Sequence, residues 1–283
     1  MNWSRKNSNR TMPEIREEMF FFPGGSDAKL LGFLHQPEKT AQTGIVYVHP
    51  FAEEKNCSHS VVAKAARSFA ELGFAVMRFD LSGCGDSEGN MEDFTLADWQ
   101  NDLKAAIKTL KEKSGVERVA LWGLRSGAGI CLSHASEQGE TPFLLLWQPV
   151  LNFKDFMLRF LRQRVGTGLV SSGENISVKS LVETLDSGNS VEVFGYTISP
   201  AIYRSFVETG PAPSINAIKN KTFIASISLM EKAPFNITSF AQNSQNGNTS
   251  FVHIIEEPFW DRYWRWQAPK TIEETCNWLR KIK

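Results

Sequence analysis

The sequence of 283 residues has few cysteines and no surplus of charge of either sign. Its four cysteines are widely scattered, and no pair has CxxC spacing, which excludes the common zinc pattern and indicates reduced thiols. Lysine plus arginine and aspartate plus glutamate both number 31, so the net charge is zero. A broad basic surface for nucleic acid or for an anionic membrane is therefore not expected, although a local basic patch stays compatible with these numbers.

Long apolar runs are also missing. The polar N-terminus, MNWSRKNSNRTMPE, lacks the apolar segment that a signal peptide needs. No run approaches the roughly 18 apolar residues of a transmembrane helix. The sequence contains no glycine-rich phosphate loop and no metal-ligand cluster. We therefore expect a soluble, cytoplasmic protein with no integral membrane segment, no cofactor and no metal.

From residue 19 to residue 151, apolar strands alternate with amphipathic helices. MFFFP and AKLLGFLHQP, joined by GGSDA, are typical of a β-hairpin. TGIVYVHPF, FAVMRFD, ERVALWG and PFLLLWQPV are continuous apolar runs, typical of strands buried on both faces. We predict an α/β fold with a mostly parallel sheet covered by helices on both faces. Ligands bind such sheets at the carboxyl ends of the strands, here after His49, Asp80, Trp122 and Trp147.

This alternation breaks between residues 152 and 218, which we predict to be a cap inserted into the sheet domain. The segment begins with a helical stretch, FKDFMLRFLRQRV, and continues with the Gly/Ser-rich run GTGLVSSGENIS. The sheet resumes in residues 219–283 with KTFIASISL, TSFVHII and a closing helix. Residues 1–18 are polar and charged, and we predict a flexible arm there.

The stretch VALWGLRSGAGICL is similar to a nucleophile elbow, a sharp strand-to-helix turn that usually reads Gly-x-Ser-x-Gly. The positions two before and two after its tip must be small, because backbone crowds them. Centred on Arg125, these positions are Gly123 and Gly127. Centred on Ser126, the first of them is the bulky Leu124. The spacing therefore favours Arg125 as the tip.

Together with VYVHPF and RFDLSGCGDSEG, this turn resembles the α/β-hydrolase superfamily. The resemblance covers roughly residues 20–149 and, more weakly, residues 221–283. The motifs LWGLRSGAG, VFGYTISPAI and EEPFW are similar to the second type of exosortase-system-associated hydrolase, in which an arginine stands at the elbow. Those bacterial proteins are grouped with surface-protein sorting and exopolysaccharide production. The resemblance implies an α/β-hydrolase fold in such a setting.

An arginine at a helix N-terminus needs an anion nearby, because the helix dipole disfavours a cation there by ~0.3–1 kcal/mol. Glu53, Glu54 and Asp80 are the candidates within the chain. An anionic ligand is the alternative, since arginine binds carboxylates and phosphates through two parallel hydrogen bonds. Arg125 therefore either fills an inactive pocket and forms an ion pair within the protein, or it binds a ligand.

Ser126 either caps the helix, with its backbone N–H at the oxyanion site, or is a displaced nucleophile. A triad then needs an acid and a histidine, in that order along the chain. Glu231 is the candidate acid, and His59 could supply the base. The last strand is followed by EEPFW without a histidine, and we expect His253, within that strand, to be structural. Ordinary Ser-His-Asp catalysis is therefore not expected.

Further candidates lie at the predicted carboxyl ends of the strands. His49 is expected to position backbone, and the N–H near Phe51 to assist ligand binding, with Glu53, Glu54 and Trp260 beside them. The segment 258–269, PFWDRYWRWQAP, either packs its aromatic rings or forms a stacking or partner surface.

Three functions fit this sequence. In the first, a member with a degenerate triad binds an anionic acyl or glycosyl ligand, free or linked to a lipid or glycan, at Arg125. In the second, the chain is an ester or thioester hydrolase with Ser126 and Glu231 as catalytic residues. In the third, it is a docking or scaffold protein that binds a partner through residues 258–269. Nucleic acid is not an expected partner, and whether the chain is an enzyme stays open.

Overall fold

The computed structural model describes residues 14–25, 27–139, 141–171, 176–245, 247–264 and 267–283. These residues form ten β-strands and eight α-helices, with short 3-10 turns at Met91–Asp93 and Ile215–Ala217. The strands are β1 (Ile15–Pro23), β2 (Lys29–Pro37), β3 (Thr43–Val48), β4 (Ala75–Phe79), β5 (Arg118–Leu124), β6 (Phe143–Trp147), β7 (Val191–Val193), β8 (Tyr196–Ile198), β9 (Lys221–Ser228) and β10 (Thr249–Ile255). The helices are α1 (Glu53–Glu71), α2 (Leu96–Ser114), α3 (Ser126–Gln138), α4 (Phe153–Ser171), α5 (Val178–Asp186), α6 (Pro200–Glu208), α7 (Phe235–Gln242) and α8 (Pro269–Ile282).

Eight of these strands form one sheet in the order β1-β2-β4-β3-β5-β6-β9-β10, and β7 pairs with β8 in a separate hairpin. At one edge, β1 and β2 form the predicted antiparallel hairpin, and β2 is also antiparallel to β4. The six strands from β4 to β10 along this order are parallel. The predicted mostly parallel sheet is confirmed. The carboxyl ends of its central strands lie side by side, and we call this end of the sheet its carboxyl edge.

Helices cover both faces because the central strands are apolar on both sides. Along β5, Ala120 and Trp122 belong to the core beneath α1 and α8, whereas Val119 and Leu121 belong to the core beneath α2 and α3. All four side chains are at most 5% exposed. Continuous apolar runs in the sequence thus mark strands that have no solvent-facing side.

Residues 152–218, the predicted cap, connect β6 to β9 and contain α4, α5, the β7–β8 hairpin and α6. The two ends of this segment meet, because the Ala212 N–H donates a 2.8 Å hydrogen bond to the Leu151 carbonyl oxygen. The segment also contacts the sheet domain, where the Leu96 N–H at the start of α2 donates to Ser205 Oγ at 3.3 Å. These contacts hold α4 and α6 close to the β3–α1 loop.

Two boundaries differ from the sequence-based predictions. The arm predicted for residues 1–18 ends earlier, because β1 already begins at Ile15; residues 1–13 lie outside the described residues. Polar side chains here belong to an edge strand, and Glu17 pairs with Arg67 at 2.7 Å. Helix α1 begins at Glu53, about two turns before the apolar periodicity of SVVAKAARSF makes it recognisable.

Every described helix is too short or too polar to cross a membrane.

Candidate functional site

The turn between β5 and α3 places Arg125 at the carboxyl edge of the sheet. Arg125 has φ 55° and ψ −117°, and α3 begins at Ser126. A Cβ atom on Gly123 would lie 2.4 Å from a backbone nitrogen of α3, and one on Gly127 would lie 2.2 Å from the Val48 carbonyl oxygen. Both positions therefore exclude a side chain, and Arg125 rather than Ser126 is the tip of the elbow.

A second turn of the same kind connects β3 to α1. Ala52 there has φ 50° and ψ −131°, close to the values at Arg125. Such conformations cost a non-glycine residue about 1–3 kcal/mol and concentrate at functional sites. Because α1 starts directly after Ala52, Glu53 and Glu54 form its first turn at the same edge of the sheet as the elbow.

Arg125 forms an ion pair with Glu54. The Arg125 Nη2 atom lies 3.0 Å from Glu54 Oε1, and Nε lies 3.2 Å from Oε1 and 3.3 Å from Oε2. Both side chains are partly buried, at 20% and 22% exposure. Asp80, another of the predicted partners, pairs with Lys55 at 3.1 Å instead. Among the described residues, Glu54 is thus the anion that balances the arginine at the helix start.

The electrostatics of this pair are finely balanced. Burial raises the pKa of the Glu54 carboxyl, and the attraction of Arg125 opposes that rise only in part. Asp261 raises the same pKa further, whereas Arg159 on α4 lowers it. The surroundings therefore disfavour the ionised form of Glu54 relative to a carboxyl in water, and Arg125 offsets only part of that cost.

Aromatic rings flank the Arg125 guanidinium on two sides. Its central carbon lies 5.3 Å from the centroid of the Trp260 ring and 5.9 Å from that of Phe156, within the range of cation–π attraction. Trp260 is 6% exposed and packs against Phe259, which is fully buried. Phe156 comes from α4, and the sequence offered no sign of its role, because only the folding of the cap brings it to the elbow.

Ser126 lies at the start of α3 with its side chain turned toward the β3–α1 loop. Its Oγ atom accepts a 2.8 Å hydrogen bond from the Phe51 N–H, and the residue is only 2% exposed. An N–H in this loop commonly serves as an oxyanion-hole donor in enzymes with a nucleophile elbow. Among the described residues, no histidine is hydrogen-bonded to Ser126. This arrangement argues against Ser126 as a nucleophile and leaves the Phe51 N–H already occupied.

The Phe51 ring belongs to an aromatic cluster that joins the loop to the cap. Its centroid lies 5.1 Å from those of Phe160 and Phe206 and 6.0 Å from that of Trp99. Phe51 therefore contributes to this site in two ways: its ring packs against the cap, and its backbone N–H donates to Ser126.

His49 links two loops at the carboxyl edge. Its Nδ1 atom lies 2.7 Å from the Pro50 carbonyl oxygen, and its Nε2 atom accepts a 3.1 Å hydrogen bond from the Leu81 N–H. Burial, followed by the nearby charge of Lys55, lowers the pKa of His49 to about 4. The ring is therefore neutral at pH 7 and suited to positioning backbone.

Among the described residues, Glu53 forms hydrogen bonds with the cap and with its own helix, and not with Arg125. Its Oε2 atom accepts hydrogen bonds from the Tyr196 hydroxyl at 2.8 Å and from Asn56 Nδ2 at 3.4 Å. Hydrogen bonding to Glu53 also raises the pKa of Tyr263 to about 12. Tyr196 lies in the motif VFGYTISPAI. Like the contact of Phe156 with Arg125, its contact with Glu53 was not predicted from the sequence.

Within the described structure, no hydrogen bond joins Ser126 to the predicted acid, Glu231, or to the predicted base, His59. Glu231 is exposed in the loop after β9, and His59 is exposed on α1. His253 bonds locally instead, with Nε2 2.8 Å from the Met230 carbonyl oxygen and Nδ1 3.3 Å from Ser226 Oγ.

After β10, where a triad histidine would lie, Glu256 has a structural role. Its Oε2 atom accepts hydrogen bonds from the N–H and hydroxyl of Thr271, and its Oε1 atom accepts one from the Lys270 N–H. The carboxylate therefore caps the N-terminus of α8, where the helix dipole favours an anion.

The aromatic segment 258–269 divides into a buried part and an exposed part. Phe259 and Trp260 pack inside, whereas Tyr263 and Trp264 are 63% and 67% exposed. Residues 265 and 266 lie outside the described residues. The described part of the chain also holds no group of three or more metal-ligating side chains.

The family model described as serine aminopeptidase, S33, matches residues 40–211, which is more than half of the chain. The chain belongs to this family. Its membership and the sheet topology confirm the predicted α/β-hydrolase fold.

Curated relatives of this S33 family member match over shorter segments. Human mitochondrial palmitoyl-protein thioesterase ABHD10 is 33% identical over 92 residues, 29% of this chain and 29% of the human protein. The zebrafish (Danio rerio) lysophosphatidylserine lipase ABHD12 is 26% identical over 125 residues, 42% of this chain and 31% of the lipase. The matched segments thus span less than a third of the length of these relatives.

Solved structures resemble the chain over nearly its whole length. An esterase from Pyrococcus furiosus superposes with a TM-score of 0.64 at 15% identity, covering 100% of this chain and 94% of the esterase. Est1E from Butyrivibrio proteoclasticus, with ferulic acid bound, superposes with a TM-score of 0.62 at 15% identity, covering 93% of this chain and 97% of Est1E. At such identities the likeness shows the fold alone.

Proposed function

We propose that this protein binds an anionic acyl or glycosyl ligand at the elbow through Arg125 and does not carry out Ser-His-Asp ester hydrolysis. The observation that carries the proposal is a partly exposed guanidinium at the tip where hydrolases of this fold place the nucleophile. The biological setting we propose is surface-protein sorting and exopolysaccharide production, which the elbow motif and its companions suggest by resemblance.

The guanidinium has an edge to offer a ligand. Glu54 occupies the edge formed by Nε and Nη2, and among the described residues no ion pair involves Nη1. A carboxylate or phosphate would bind the edge formed by Nη1 and Nη2 through two parallel hydrogen bonds. Trp260 and Phe156 would offer flat apolar faces to an acyl chain or a sugar ring.

Glu54 would then act as a competitor that is poorly matched to its surroundings. Because burial raises its pKa, its negative charge is less favourable there than in water. A ligand anion that shares or takes over Arg125 would raise the pKa of the Glu54 carboxyl further and favour its protonation. Glu54 therefore tunes the affinity of the site, while Glu53 keeps the cap hairpin in place through Tyr196.

The alternative is an ester or thioester hydrolase with Ser126 as nucleophile, which similarity to a thioesterase and a lipase favours. Labelling with a fluorophosphonate, followed by intact-mass measurement, tests it beside a Ser126→Ala control. We expect no mass gain, because the Ser126 hydroxyl is buried and bonded to backbone. A single label that disappears in Ser126→Ala would establish the hydrolase instead.

A docking role is the third alternative, and the exposed side chains of Tyr263 and Trp264 favour it. Trp264→Ala would then abolish capture of a partner, whereas Trp260, which packs beside Arg125, would act through the ligand site.

Ligand binding at Arg125 is tested by calorimetric titration with decanoate and with 1-decanol, an uncharged chain of equal length. Glucose 1-phosphate is the glycosyl probe. The key variant is Arg125→Met, and Arg204→Met, at an exposed position of α6, is the matched control. We expect an anionic probe to bind the wild type and to lose at least about tenfold in affinity in Arg125→Met, as for a charge-assisted hydrogen-bond pair.

Arg204→Met should bind the probe as the wild type does, and binding of 1-decanol should not depend on Arg125. Equal affinity for the anionic probes in Arg125→Met and the wild type would overturn the proposal. So would the absence of saturable binding to both anionic probes.

A further inference from the structure

A second cavity lies between α1 and the strands β2, β3 and β4, apart from the side chains that surround Arg125. Its volume is about 320 Å³, near the lower end of ligand pockets. The residues that matter for its chemistry are Tyr47, Lys55, Ser58, His59 and Arg78, which all line it.

Arg78 brings a buried positive charge to this cavity. The residue is 9% exposed, and its Nε–H donates a 3.0 Å hydrogen bond to His35 Nε2. Burial, followed by the charge of Arg78, lowers the pKa of His35 to about 4, so His35 is a neutral partner. Its Nδ1–H donates to Glu17 at 2.7 Å. Within the described residues, no carboxylate lies within ion-pair distance of Arg78, and its charge is therefore not directly balanced.

Tyr47 brings an unused hydrogen-bond donor. The residue is 4% exposed, and its ring lies 4.4 Å from that of Trp122. Its hydroxyl is buried and has no hydrogen-bond partner among the described residues. The neighbouring Ser58 hydroxyl donates its own proton to the Glu54 carbonyl oxygen at 2.7 Å. Buried hydroxyls in folded proteins are nearly always bonded, so this one would donate either to the Ser58 oxygen or to an acceptor in the cavity.

Lys55, Asp80 and Asp86 also line the cavity, so that with Arg78 the formal charges of the lining cancel. Lys55 and Asp80 form an ion pair at 3.1 Å and largely cancel each other. The pKa of His59 is lowered first by burial and then by the positive charges of Arg78 and Lys55. Asp86 is exposed to solvent, whereas Arg78 is buried and has no carboxylate at ion-pair distance among the described residues. An anion in the cavity would lie against Arg78 and could accept hydrogen bonds from the Tyr47 hydroxyl and the His59 ring.

We propose that this cavity is a second binding site, for a small oxyanion of the carboxylate or phosphate class, with Arg78 as its cation and Tyr47 and His59 as hydrogen-bond donors. The site is additional to the ligand site proposed at the elbow, with which it shares none of these side chains. Its volume suits a small metabolite rather than an acyl chain.

The test uses the full chain with Arg125→Met in all samples, so that anion binding at the elbow does not contribute. Inorganic phosphate and acetate are titrated separately by calorimetry at constant ionic strength. Tyr47→Phe removes only the hydroxyl and keeps the ring contact with Trp122. Tyr203→Phe, a buried tyrosine of α6, is the matched control. We expect one equivalent of one anion to bind, with about tenfold weaker binding in Tyr47→Phe and no change in Tyr203→Phe.

The anion that saturates distinguishes a phosphate site from a carboxylate site. Failure of both anions to saturate would overturn the proposal, as would equal weakening in Tyr47→Phe and Tyr203→Phe. Cooperative urea unfolding of each variant confirms that the comparison is made between folded proteins. Because decanoate tests Arg125 and these titrations test Tyr47, the two proposed sites can fail independently.

Discussion

Substitution of Arg125 and substitution of Glu54 both break the ion pair, but they should lower the free energy of unfolding by different amounts. Arg125→Met removes the cation and leaves a partly buried carboxylate close to Asp261, whose charge raises the pKa of Glu54 further. Glu54→Gln removes the anion but keeps an amide oxygen that can accept from Arg125, whose aromatic neighbours also remain. Arg125→Met should therefore be the more destabilising change.

The magnitudes follow from burial. Removing one partner of a fully buried ion pair costs about 3–5 kcal/mol, and this pair is about one-fifth exposed. We expect a loss of about 2–4 kcal/mol in the free energy of unfolding for Arg125→Met at pH 8. We expect at most about 1 kcal/mol for Glu54→Gln, since a hydrogen bond survives and the neutral amide avoids the unfavourable ionisation of the buried carboxyl. The double variant has no unpaired charge, so it should be more stable than Arg125→Met alone, by about 1–3 kcal/mol.

The pH dependence has a definite sign. The folded-state pKa of Glu54 is raised above its ordinary value of 4.5, so its ionisation disfavours the folded state. This unfavourable contribution is complete above the folded-state pKa and disappears as the pH falls toward 4.5. Without Arg125, the folded-state pKa rises further. The stability deficit of Arg125→Met should therefore be largest near pH 8 and shrink toward pH 5.

Urea unfolding followed by tryptophan fluorescence at pH 8 and pH 5 measures all four proteins of this cycle. An Arg125→Met deficit that is the same at both pH values would show that the lost stability is packing rather than charge. A double variant no more stable than Arg125→Met would refute the assignment of Glu54 as the stranded charge.

Three further outcomes are expected. Gly127→Ala would place Cβ 2.2 Å from the Val48 carbonyl oxygen, so it should lower the free energy of unfolding by about 3 kcal/mol or more, or prevent folding. Gly139→Ala has open space around it and should cost only about 1–2 kcal/mol, because its backbone is left-handed. Thermal melting measures both. Glu256→Ala removes the cap of α8 and should cost about 1–2 kcal/mol in urea unfolding; no loss would mean that another group or water replaces it. All four cysteines are buried, so a thiol reagent should react with none in the native protein and with four in denaturant; a fast-reacting thiol in the native state would contradict the burial.

The elbow shows which conclusions the sequence could support. Its register follows from crowding within a few residues, since Gly123 and Gly127 flank the tip at fixed offsets in any strand-to-helix turn of this kind. The parallel sheet was equally predictable, because strands buried on both faces must be apolar throughout. By contrast, the start of α1 at Glu53 was missed, because its first turns, EEKNCSHS, carry no apolar stripe.

The partner of Arg125 was beyond the reach of sequence reasoning. Glu53, Glu54, Asp80 and an anionic ligand were equivalent candidates, and Glu54 lies 71 positions away along the chain. Their separation in space depends on the Ala52 turn, which directs one carboxylate to Arg125 and leaves the next one for Tyr196. The hydrogen bond between Ser126 and the Phe51 N–H, 75 positions apart, is a contact of the same long-range type.

By itself, the sequence determined the fold class, the arginine at the elbow tip and the missing histidine after the last strand, since each depends on local spacing or on residue identity alone. Only the tertiary structure decided that Glu54 pairs with Arg125, that Phe156 and Trp260 flank it, and that Arg78 and Tyr47 share a cavity. Those contacts join elements far apart in the chain, and their geometry follows from how strands, helices and cap pack together.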